Sequence, residues 1–249
     1  MKKIILFFTF SIFLSFYSSA QTTNNEKALE IIKKIDNNMF SKTQIVTSEM
    51  IVYGKRKKRI IRSKGYSKGK ENNYTEYLSP AREKGTKMLK LDKRLWIYSP
   101  STDRTIQLSG HLLRQSVMGS DLSYEDMMEE RKLSEVYTAE IVNEDIYIDS
   151  PVWIMQLTSK VEGLAYYKRT LWIDKNKFVP LKENLYAKSG VLLKTTTFTN
   201  IKKIDSRWFP MKMNYKDMLK DGKGKDFIIL DIAFNTKISD NYFSKNKSR

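Results

Sequence analysis

The sequence contains no cysteine and only one histidine, His111. The absence of cysteine excludes disulfide bonds, thiol catalysis, thiolate metal sites and a lipid attached to a cysteine after a signal sequence. A single histidine leaves no pair for a metal ion, and it leaves no Ser-His-Asp triad unless His111 serves alone. No apolar run after residue 16 approaches the roughly 20 residues that a membrane-spanning helix needs. We therefore predict no cofactor, no metal and no catalytic residue.

The N-terminal residues have the pattern of a secretory signal. Two lysines precede an apolar run from Ile4 to Phe16, and the small residues Ser18, Ser19 and Ala20 follow it. The run is shorter than the roughly 20 residues of a membrane-spanning helix, and no basic stop-transfer cluster follows closely. We predict a cleaved signal peptide at residues 1–20 and one soluble, monomeric domain at residues 21–249.

The chain is strongly basic, with 45 Lys and Arg against 28 Asp and Glu and a net charge of +17. Export changes the expected polyanion from nucleic acid to lipid head groups, lipopolysaccharide or the membrane surface. The alternative is a generally lysine-rich composition with no binding role. The densest cluster is Lys55, Arg56, Lys57, Lys58 and Arg59. It is a candidate contact for head groups or an acidic partner, although a solvated tip that discourages strand pairing explains it equally well.

Hydrophobic periodicity predicts one helix and then a long series of strands. Ala28, Ile31, Ile32, Ile35 and Met39 form a helical stripe between Glu26 and Phe40, which should lie on an apolar surface. The rest of the chain predicts roughly ten strands. They come from thirteen candidate segments, some of which are expected to merge or drop out: Ile45–Tyr53, Arg59–Ser67, Asn73–Leu78, Thr86–Leu91, Arg94–Tyr98, Arg104–Leu108, Glu140–Asp149, Val152–Val161, Tyr166–Ile173, Pro180–Tyr186, Val191–Ile204, Trp208–Tyr215 and Phe227–Phe234. Short turns between them indicate an antiparallel sheet.

The strand pattern stops between Leu108 and Leu133, where one or two short helices are predicted. Ser123 with Asp126 is typical of a helix cap. The carboxylates of this segment could in principle hold a hard cation, but caps and a solvated helix face explain them better. The glycines at residues 222 and 224 lack the spacing of a phosphate-binding loop and indicate a hairpin turn.

Several strands are apolar on both faces, which predicts that both faces are covered. In Arg94–Tyr98, for example, Leu95 and Ile97 oppose Trp96 and Tyr98. The cover can be a second sheet, the far wall of a barrel, a helix or a bound apolar ligand, and periodicity does not separate a closed core from a cavity. The segments Glu26–Phe40 and Leu112–Met128 are candidate plugs. The candidate cavity lining, each residue of which could equally be plain core, is Trp96, Tyr98, Met118, Met127, Trp153, Trp172 and Trp208.

The stretch from Ser79 to Pro100, together with residues 118–126 and the Leu171–Lys175 strand end, resembles the outer-membrane lipoprotein-sorting-like family, related to the periplasmic lipoprotein carrier. The resemblance extends over nearly the whole chain after the signal. It implies a mainly β fold, a twisted antiparallel sheet forming an unclosed half-barrel whose concave face is covered by helices. It also implies a periplasmic role in moving or sensing lipidated molecules. We predict a non-enzymatic protein that carries lipid or lipidated-protein cargo in outer-membrane lipid or lipoprotein sorting.

The partners expected from this resemblance are the cargo, a membrane-anchored donor or acceptor protein and a transient contact with the membrane surface, but no nucleic acid. A sensor on the same fold that binds a protein partner is the alternative, and an enzyme is a remote third. Fold alone does not decide among them. No binding or catalytic residue can be carried over one by one.

Overall fold

A computed structural model describes residues 8–54, 57–129 and 131–245, with side chains from residue 24 onward. A long helix, α1 (Phe8–Met39), comes first, and two short ones follow the sixth strand, α2 (Tyr124–Met128) and α3 (Leu133–Val136). Single 3₁₀ turns occupy Gly110–Arg114, Val117–Gly119 and Asp240–Phe243. The strands are β1 (Thr43–Tyr53), β2 (Lys58–Lys68), β3 (Asn72–Ser79), β4 (Lys87–Leu91), β5 (Arg94–Ser99), β6 (Arg104–Leu108), β7 (Tyr137–Tyr147), β8 (Ser150–Ser159), β9 (Lys168–Asp174), β10 (Pro180–Tyr186), β11 (Leu192–Ile204), β12 (Arg207–Asp217) and β13 (Lys225–Phe234).

All strands belong to one antiparallel sheet in the order β6-β5-β4-β3-β2-β1-β13-β12-β11-β10-β9-β8-β7. The first and last strands therefore meet at the centre, and the two edges, β6 and β7, are consecutive in the chain. Since β6 and β7 do not pair, the sheet is an unclosed half-barrel. The connection between them has to cross the open side of the sheet, and it does so over the concave face. The predicted fold class is confirmed.

Helix α1 covers one half of the concave face. Its stripe of Ala28, Ile31, Ile32 and Ile35 is buried against strands β7, β8 and β9, as the periodicity predicts. The carboxylate of Asp36, which is also buried, accepts hydrogen bonds from the backbone N–H groups of residues 133 and 134 at the start of α3. The helix is longer than predicted, since it begins at Phe8 and ends at Met39. Among the described residues, no helix combines the length and apolar character needed to cross a membrane.

The convex face also carries apolar clusters, and no second sheet covers them among the described residues. Trp96 packs there with Tyr74 and Leu89 beneath Tyr242 and Phe243 of the C-terminal 3₁₀ turn. The rings of Tyr66 and Tyr242 stack with centroids 4.0 Å apart. On the concave face, strands that are apolar on both sides are thus covered by helical segments. On the convex face, their cover comes from neighbouring side chains or from the C-terminal 3₁₀ turn Asp240–Phe243, which we call the C-terminal strap.

The sheet contains more strands than the roughly ten that were predicted. Each of the thirteen candidate segments forms its own strand, and none merges or drops out. The interruption contains more short helices than predicted, namely two 3₁₀ turns, α2 and α3. The predicted signal peptide lies partly outside the described residues, which begin at residue 8, and its cleavage remains a prediction.

Candidate functional site

A cavity of about 370 Å³ lies between the concave face of the central strands and the segment that crosses it. We call that segment, residues 109–129, the lid. The lining residues that belong to the sheet lie on β1, β2, β3, β12 and β13, and the lid contributes four more side chains to the lining. The lining consists of Gln44, Val46, Ser48, Met50, Ile61, Ser63, Gly65, Ser67, Asn73, Thr75, Tyr77, Val117, Leu122, Asp126, Met127, Phe209, Met213, Tyr215, Phe227, Ile229 and Ile232.

The cavity exists because the inward-facing positions at the middle of the sheet carry small side chains. Ser48 of β1 faces Ser63 of β2, and their hydroxyl oxygens are 3.1 Å apart in a buried hydrogen bond. Gly65 pairs with Thr75 of β3, where a Cβ atom on the glycine would meet the threonine hydroxyl at 3.6 Å. Large apolar residues flank this strip on both sides. Close packing normally fills such space with side chains, so a row of small residues leaves room for a guest.

The underside of the lid is apolar. Leu112, Leu113, Met118, Met127 and Met128 pack against a buried cluster on strands β1 to β6. Helix α2 starts with the predicted cap, because the Ser123 hydroxyl accepts a hydrogen bond from the Asp126 N–H while the Asp126 carboxylate accepts one from the Ser123 N–H. The apolar side chains thus face the sheet, and unbranched methionines can repack around differently shaped guests.

Charged groups hold the lid to the far half of the sheet. Asp126 forms an ion pair with Lys194 of β11, and the hydroxyl of Tyr166 donates to the same carboxylate. Asp121 accepts a hydrogen bond of 3.0 Å from the backbone N–H of residue 217 and lies 3.5 Å from Lys225 Nζ. On the near half, the Arg59 guanidinium donates to the Met118 carbonyl. The lid is therefore closed by polar contacts at its margins and apolar contacts beneath.

The Asp126 carboxylate is charged in spite of its burial. Burial alone would raise its pKa, but the Lys194 ammonium and the hydrogen bonds from Ser123 and Tyr166 outweigh that effect and lower the pKa below the ordinary value. Burial and the neighbouring Asp126 charge raise the pKa of Tyr166, which keeps its hydroxyl protonated as a donor. The closure contact is thus an ion pair at neutral pH.

A second buried ion pair lies on the concave face beside α1. Arg169 Nη1 is 2.8 Å from Glu183 Oε1, and Arg169 Nε donates to the Tyr137 hydroxyl at 2.9 Å. The Tyr137 hydroxyl donates in turn to the Tyr166 carbonyl at 2.8 Å. Both charged side chains are nearly enclosed, with 14% and 11% exposure. Their charges satisfy each other, so this network is a polar wall and not a free charged site.

Of the seven side chains predicted to line a cavity, Met127 lines this one. Met118 is in the lid but packs beside the cavity, against the cluster of β1 to β6. Trp96 is buried on the convex face beneath the C-terminal strap. Tyr98, on the same face of β5, donates a hydrogen bond of 3.1 Å to Asp103.

The other three tryptophans also lie away from the cavity. Trp153 packs with Phe178 beside α1, with ring centroids 5.7 Å apart, and its indole N–H donates to Glu144. Trp172 and Trp208 pack on the cluster formed by Val152, Val179 and Leu181. Binding pockets are often lined by aromatic residues, but here the large rings pack on the two faces of the sheet, and the cavity occupies the region of small side chains.

The basic cluster at residues 55–59 divides into different environments. Lys55 and Arg56 lie outside the described residues. Lys57 and Lys58 are exposed at the β1–β2 connection. Arg59 turns inward and contacts the Glu83 carboxylate at 3.1 Å in addition to the lid carbonyl. Two of the three described members are therefore available to solvent, and the third holds the lid.

No group of three or more His, Asp or Glu side chains that could hold a metal ion occurs among the described residues. His111 is exposed in the first 3₁₀ turn of the lid, outside the cavity lining. The polar groups that do reach the cavity are small hydroxyls, amides and the paired Asp126. This arrangement suits an apolar guest with few polar contacts.

Comparison with known proteins agrees with this geometry. A family model described as "Uncharacterized protein" matches residues 69–247, more than half of the chain. A lipoprotein-sorting protein domain from Vibrio parahaemolyticus superimposes with a TM-score of 0.77 at 26% identity, covering 90% of this chain and 99% of that one. The chain belongs to the family that this model describes, and it resembles the outer-membrane lipoprotein-sorting-like proteins. No curated protein matches its sequence.

Two further solved structures share the family fold. A LolA superfamily protein from Nitrosomonas europaea has a TM-score of 0.73 at 25% identity, over 88% of this chain and 98% of that one. A DUF1329 family protein from Desulfovibrio piger has a TM-score of 0.79 at 23% identity, over 91% and 99%, and shows the fold alone. The resemblance proposed from sequence is confirmed.

Sequence reasoning missed the small residues that make the cavity. Their signal was present as alternate serines and glycine at positions 63, 65 and 67 of β2, opposite Ser48 of β1. It also missed Lys194 and Tyr166, which hold the lid from strands far along the chain. No local pattern points to those two residues, because only the sheet order brings them to Asp126.

Proposed function

We propose that this protein binds the acyl chains of lipids or lipidated proteins in the lidded cavity and carries them as part of outer-membrane lipid or lipoprotein sorting. The observation that carries the proposal is the 370 Å³ space beneath the lid, with an apolar lining and a floor of small side chains. Binding sites for small molecules commonly have volumes of about 300–1,000 Å³. The space suits one acyl chain in the closed state.

The energetics favour a carrier over simple diffusion. Each methylene left in water costs about 0.8 kcal/mol, so a chain of about 16 carbons costs on the order of 12 kcal/mol to expose. A lidded, largely apolar cavity lowers this barrier. The Met127 side chain can adjust to chains of different shape, and the ion pair at Asp126 can reform after each exchange.

The proposed setting is the periplasm, reached by the predicted signal peptide at residues 1–20. The proposed cycle involves no covalent chemistry, a membrane-anchored donor or acceptor protein and a transient contact with the membrane surface. The exposed Lys57 and Lys58, with Lys55 and Arg56 beside them in the chain, are candidates for contact with head groups or with such a partner. Each basic residue near an anionic surface contributes about 1 kcal/mol.

The direct test is organic-solvent extraction of the protein purified from its native compartment without detergent, followed by mass spectrometry. We expect acyl species in stoichiometric amount, and we expect them to be lost from a variant whose cavity is filled. Capture of a membrane-anchored protein with no acyl species in the extract would instead support the sensor alternative. An extract free of lipid, with no partner captured, would contradict the proposal.

A further inference from the structure

One segment of this basic protein has the opposite charge. Residues 133–159 contain no lysine or arginine but five acidic residues, in a chain whose net charge is +17. The acidic residues are Glu135, Glu140, Glu144, Asp145 and Asp149. Four of them lie on β7 or on the turn that follows it. A local charge reversal of this kind selects partners by charge, independently of the rest of the surface.

The same segment forms an edge of the sheet that is only partly protected. A bulge between Ile141 and Asn143 interrupts β7. The Asn143 and Asp145 side chains accept hydrogen bonds of 2.9 and 2.7 Å from the N–H groups of residues 144 and 146, and Asn24 of α1 donates to the Ile141 carbonyl at 3.1 Å, contacts that an added strand would replace. Strand β7 has 11 residues and pairs only with β8, so its outer side has no strand partner among the described residues. Natural edge strands are usually short or carry lysine or proline, which discourage pairing with another chain. The opposite edge, β6, has five residues and begins with Arg104. Strand β7 is long and contains neither lysine nor proline.

Apolar side chains project from this edge into solvent. Val142 is 51% exposed, Ile146 is 72% exposed and Ile148 is 71% exposed. Ile148 also has a φ of 47°, a left-handed conformation that is unfavourable for a β-branched residue. Ile148 and Asp149 form the two-residue turn between Tyr147 and Ser150, and such turns require positive φ at both central residues. These positions usually hold Asn, Asp or Gly, so an exposed isoleucine is an unusual residue here.

A groove runs beside the first half of β7. It measures about 520 Å³ and is bounded by Asn25 and Leu29 of α1, by residues 137–140, by Gln156 and Thr158 of β8 and by Lys160 just after β8. The Lys160 Nζ donates to the Ser134 carbonyl at 2.9 Å. Leu29 is 39% exposed although it belongs to the helix that covers the sheet. The groove leaves space for the side chains of a strand laid along the edge.

We propose that the edge formed by residues 140–149, which we call the acidic edge, receives an extended, lysine- or arginine-bearing segment of a partner protein as an additional strand. Backbone hydrogen bonds to β7 would supply affinity in this mode of recognition, and alternate side chains would supply specificity. Within this edge Glu144 is ion-paired with Lys175, and Asp145 accepts a hydrogen bond from the N–H of residue 146. Glu140 and Asp149 form no ion pair among the described residues, so theirs are the charges that would meet the cations of such a segment. The exposed Val142, Ile146 and Ile148 would be covered.

Other occupants fit this edge less well. A second copy paired through β7 would place acidic strands against each other, and like charges in cross-strand positions are destabilising. An anionic membrane surface would repel the same carboxylates. Charge complementarity therefore favours a basic segment of a different protein. This proposal does not depend on a guest in the cavity.

The experiment uses the full chain after the signal and an eight-residue peptide in which lysine alternates with valine and threonine. We expect saturable binding that weakens as salt rises, with the largest backbone NMR shifts in residues 137–147. A peptide with glutamate in place of lysine, and one with N-methylated backbone amides, should each bind at least tenfold more weakly. Equal binding of the lysine and glutamate peptides, or shifts outside β7, would overturn the proposal.

Variants with exposed substitutions make the test specific. We expect the double variant E140Q and D149N to weaken peptide binding about tenfold, while E162Q, a matched change in the exposed β8–β9 loop, leaves it unchanged. Replacing Ile146 with Ser should also weaken it. All variants should retain wild-type acyl binding, which separates failure of this proposal from failure of the cavity proposal. Dimerisation of the free protein that the Ile146→Ser variant abolishes would assign the edge to a second copy and refute the inference.

Discussion

Filling the cavity from its floor should weaken acyl binding strongly without unfolding the protein. Ser48 is 3% exposed, lines the cavity and contacts the Ser63 hydroxyl at 3.1 Å. Replacing it with phenylalanine places a ring in a space of about 370 Å³. An engineered cavity of about 150 Å³ is enough for benzene, so the ring fits without overpacking.

The opposing contributions to stability nearly cancel. Loss of the hydrogen bond and an unpaired Ser63 hydroxyl cost about 1–3 kcal/mol, and burial of the ring returns about 1.5–3 kcal/mol. We therefore expect the free energy of unfolding in urea to stay within about 1 kcal/mol of wild type. The ring displaces about four methylenes of the guest, worth about 3 kcal/mol, which corresponds to a loss of affinity of about 200-fold.

The assay is titration with a fluorescent 16-carbon fatty acid, with urea unfolding of the ligand-free protein alongside. Thr47→Phe is the matched control, because Thr47 is the preceding residue of β1 and points to the other face of the sheet. It should bind the fatty acid as wild type does. If Ser48→Phe is folded and binds with unchanged affinity, the guest does not occupy this cavity and the reasoning fails.

Three further predictions concern the lid and the C-terminal strap. Asp126→Asn leaves the Lys194 ammonium, which is 13% exposed, without its counter-charge, a loss of about 3–5 kcal/mol. Amide exchange in residues 109–129 should accelerate in this variant, but not in Glu125→Gln, because Glu125 forms no ion pair with any residue that the structure describes. The pKa of the Asp126 carboxyl is lower in the folded state than in the unfolded state. The stabilisation from the Asp126 ion pair is therefore complete above the unfolded pKa of about 3.9, and it is lost as the pH falls through the lower folded pKa. Amide protection factors of the lid should be the same at pH 5 and pH 8, and a loss of protection between those values would contradict this assignment. Tyr242→Ala removes the ring over Tyr66 and part of the cover of Trp96. We expect the free energy of unfolding in urea to fall by about 2 kcal/mol and the tryptophan emission to shift to the red. Unchanged emission would show that the strap does not cover Trp96.

The fold was accessible from the sequence because its determinants are local. The helical stripe of Ala28, Ile31, Ile32 and Ile35 and the alternation of β-branched residues between short turns both repeat over many residues. They predicted the covered sheet and every one of the thirteen strand segments. The strands that are apolar on both faces correctly indicated cover on the concave side. On the convex side the cover is partial, since the C-terminal 3₁₀ turn covers Trp96 whereas Leu230 of β13 is 45% exposed.

The site was harder to predict from the sequence than the fold, because it is a space that the side chains leave empty. Trp96 and Trp172 attract attention in a sequence, yet their size makes them the material that fills covered faces. Ser48 and Ser63 are inconspicuous, and they matter because two long strands bring them together at the centre of the sheet. The ion pair between Asp126 and Lys194 joins positions separated by 68 residues, and no periodicity encodes it.

The central claim is that an acyl chain binds beneath the lid. Photo-crosslinking locates such a guest most directly. A 16-carbon fatty acid with a diazirine at its terminal carbon would be bound, irradiated and mapped by peptide mass spectrometry. We expect adducts on Met127 of the lid and on cavity-lining residues of the sheet such as Met50, Ile61 and Phe227. Adducts confined to the convex face or to the acidic edge, or adducts unchanged in the Ser48→Phe variant, would contradict it.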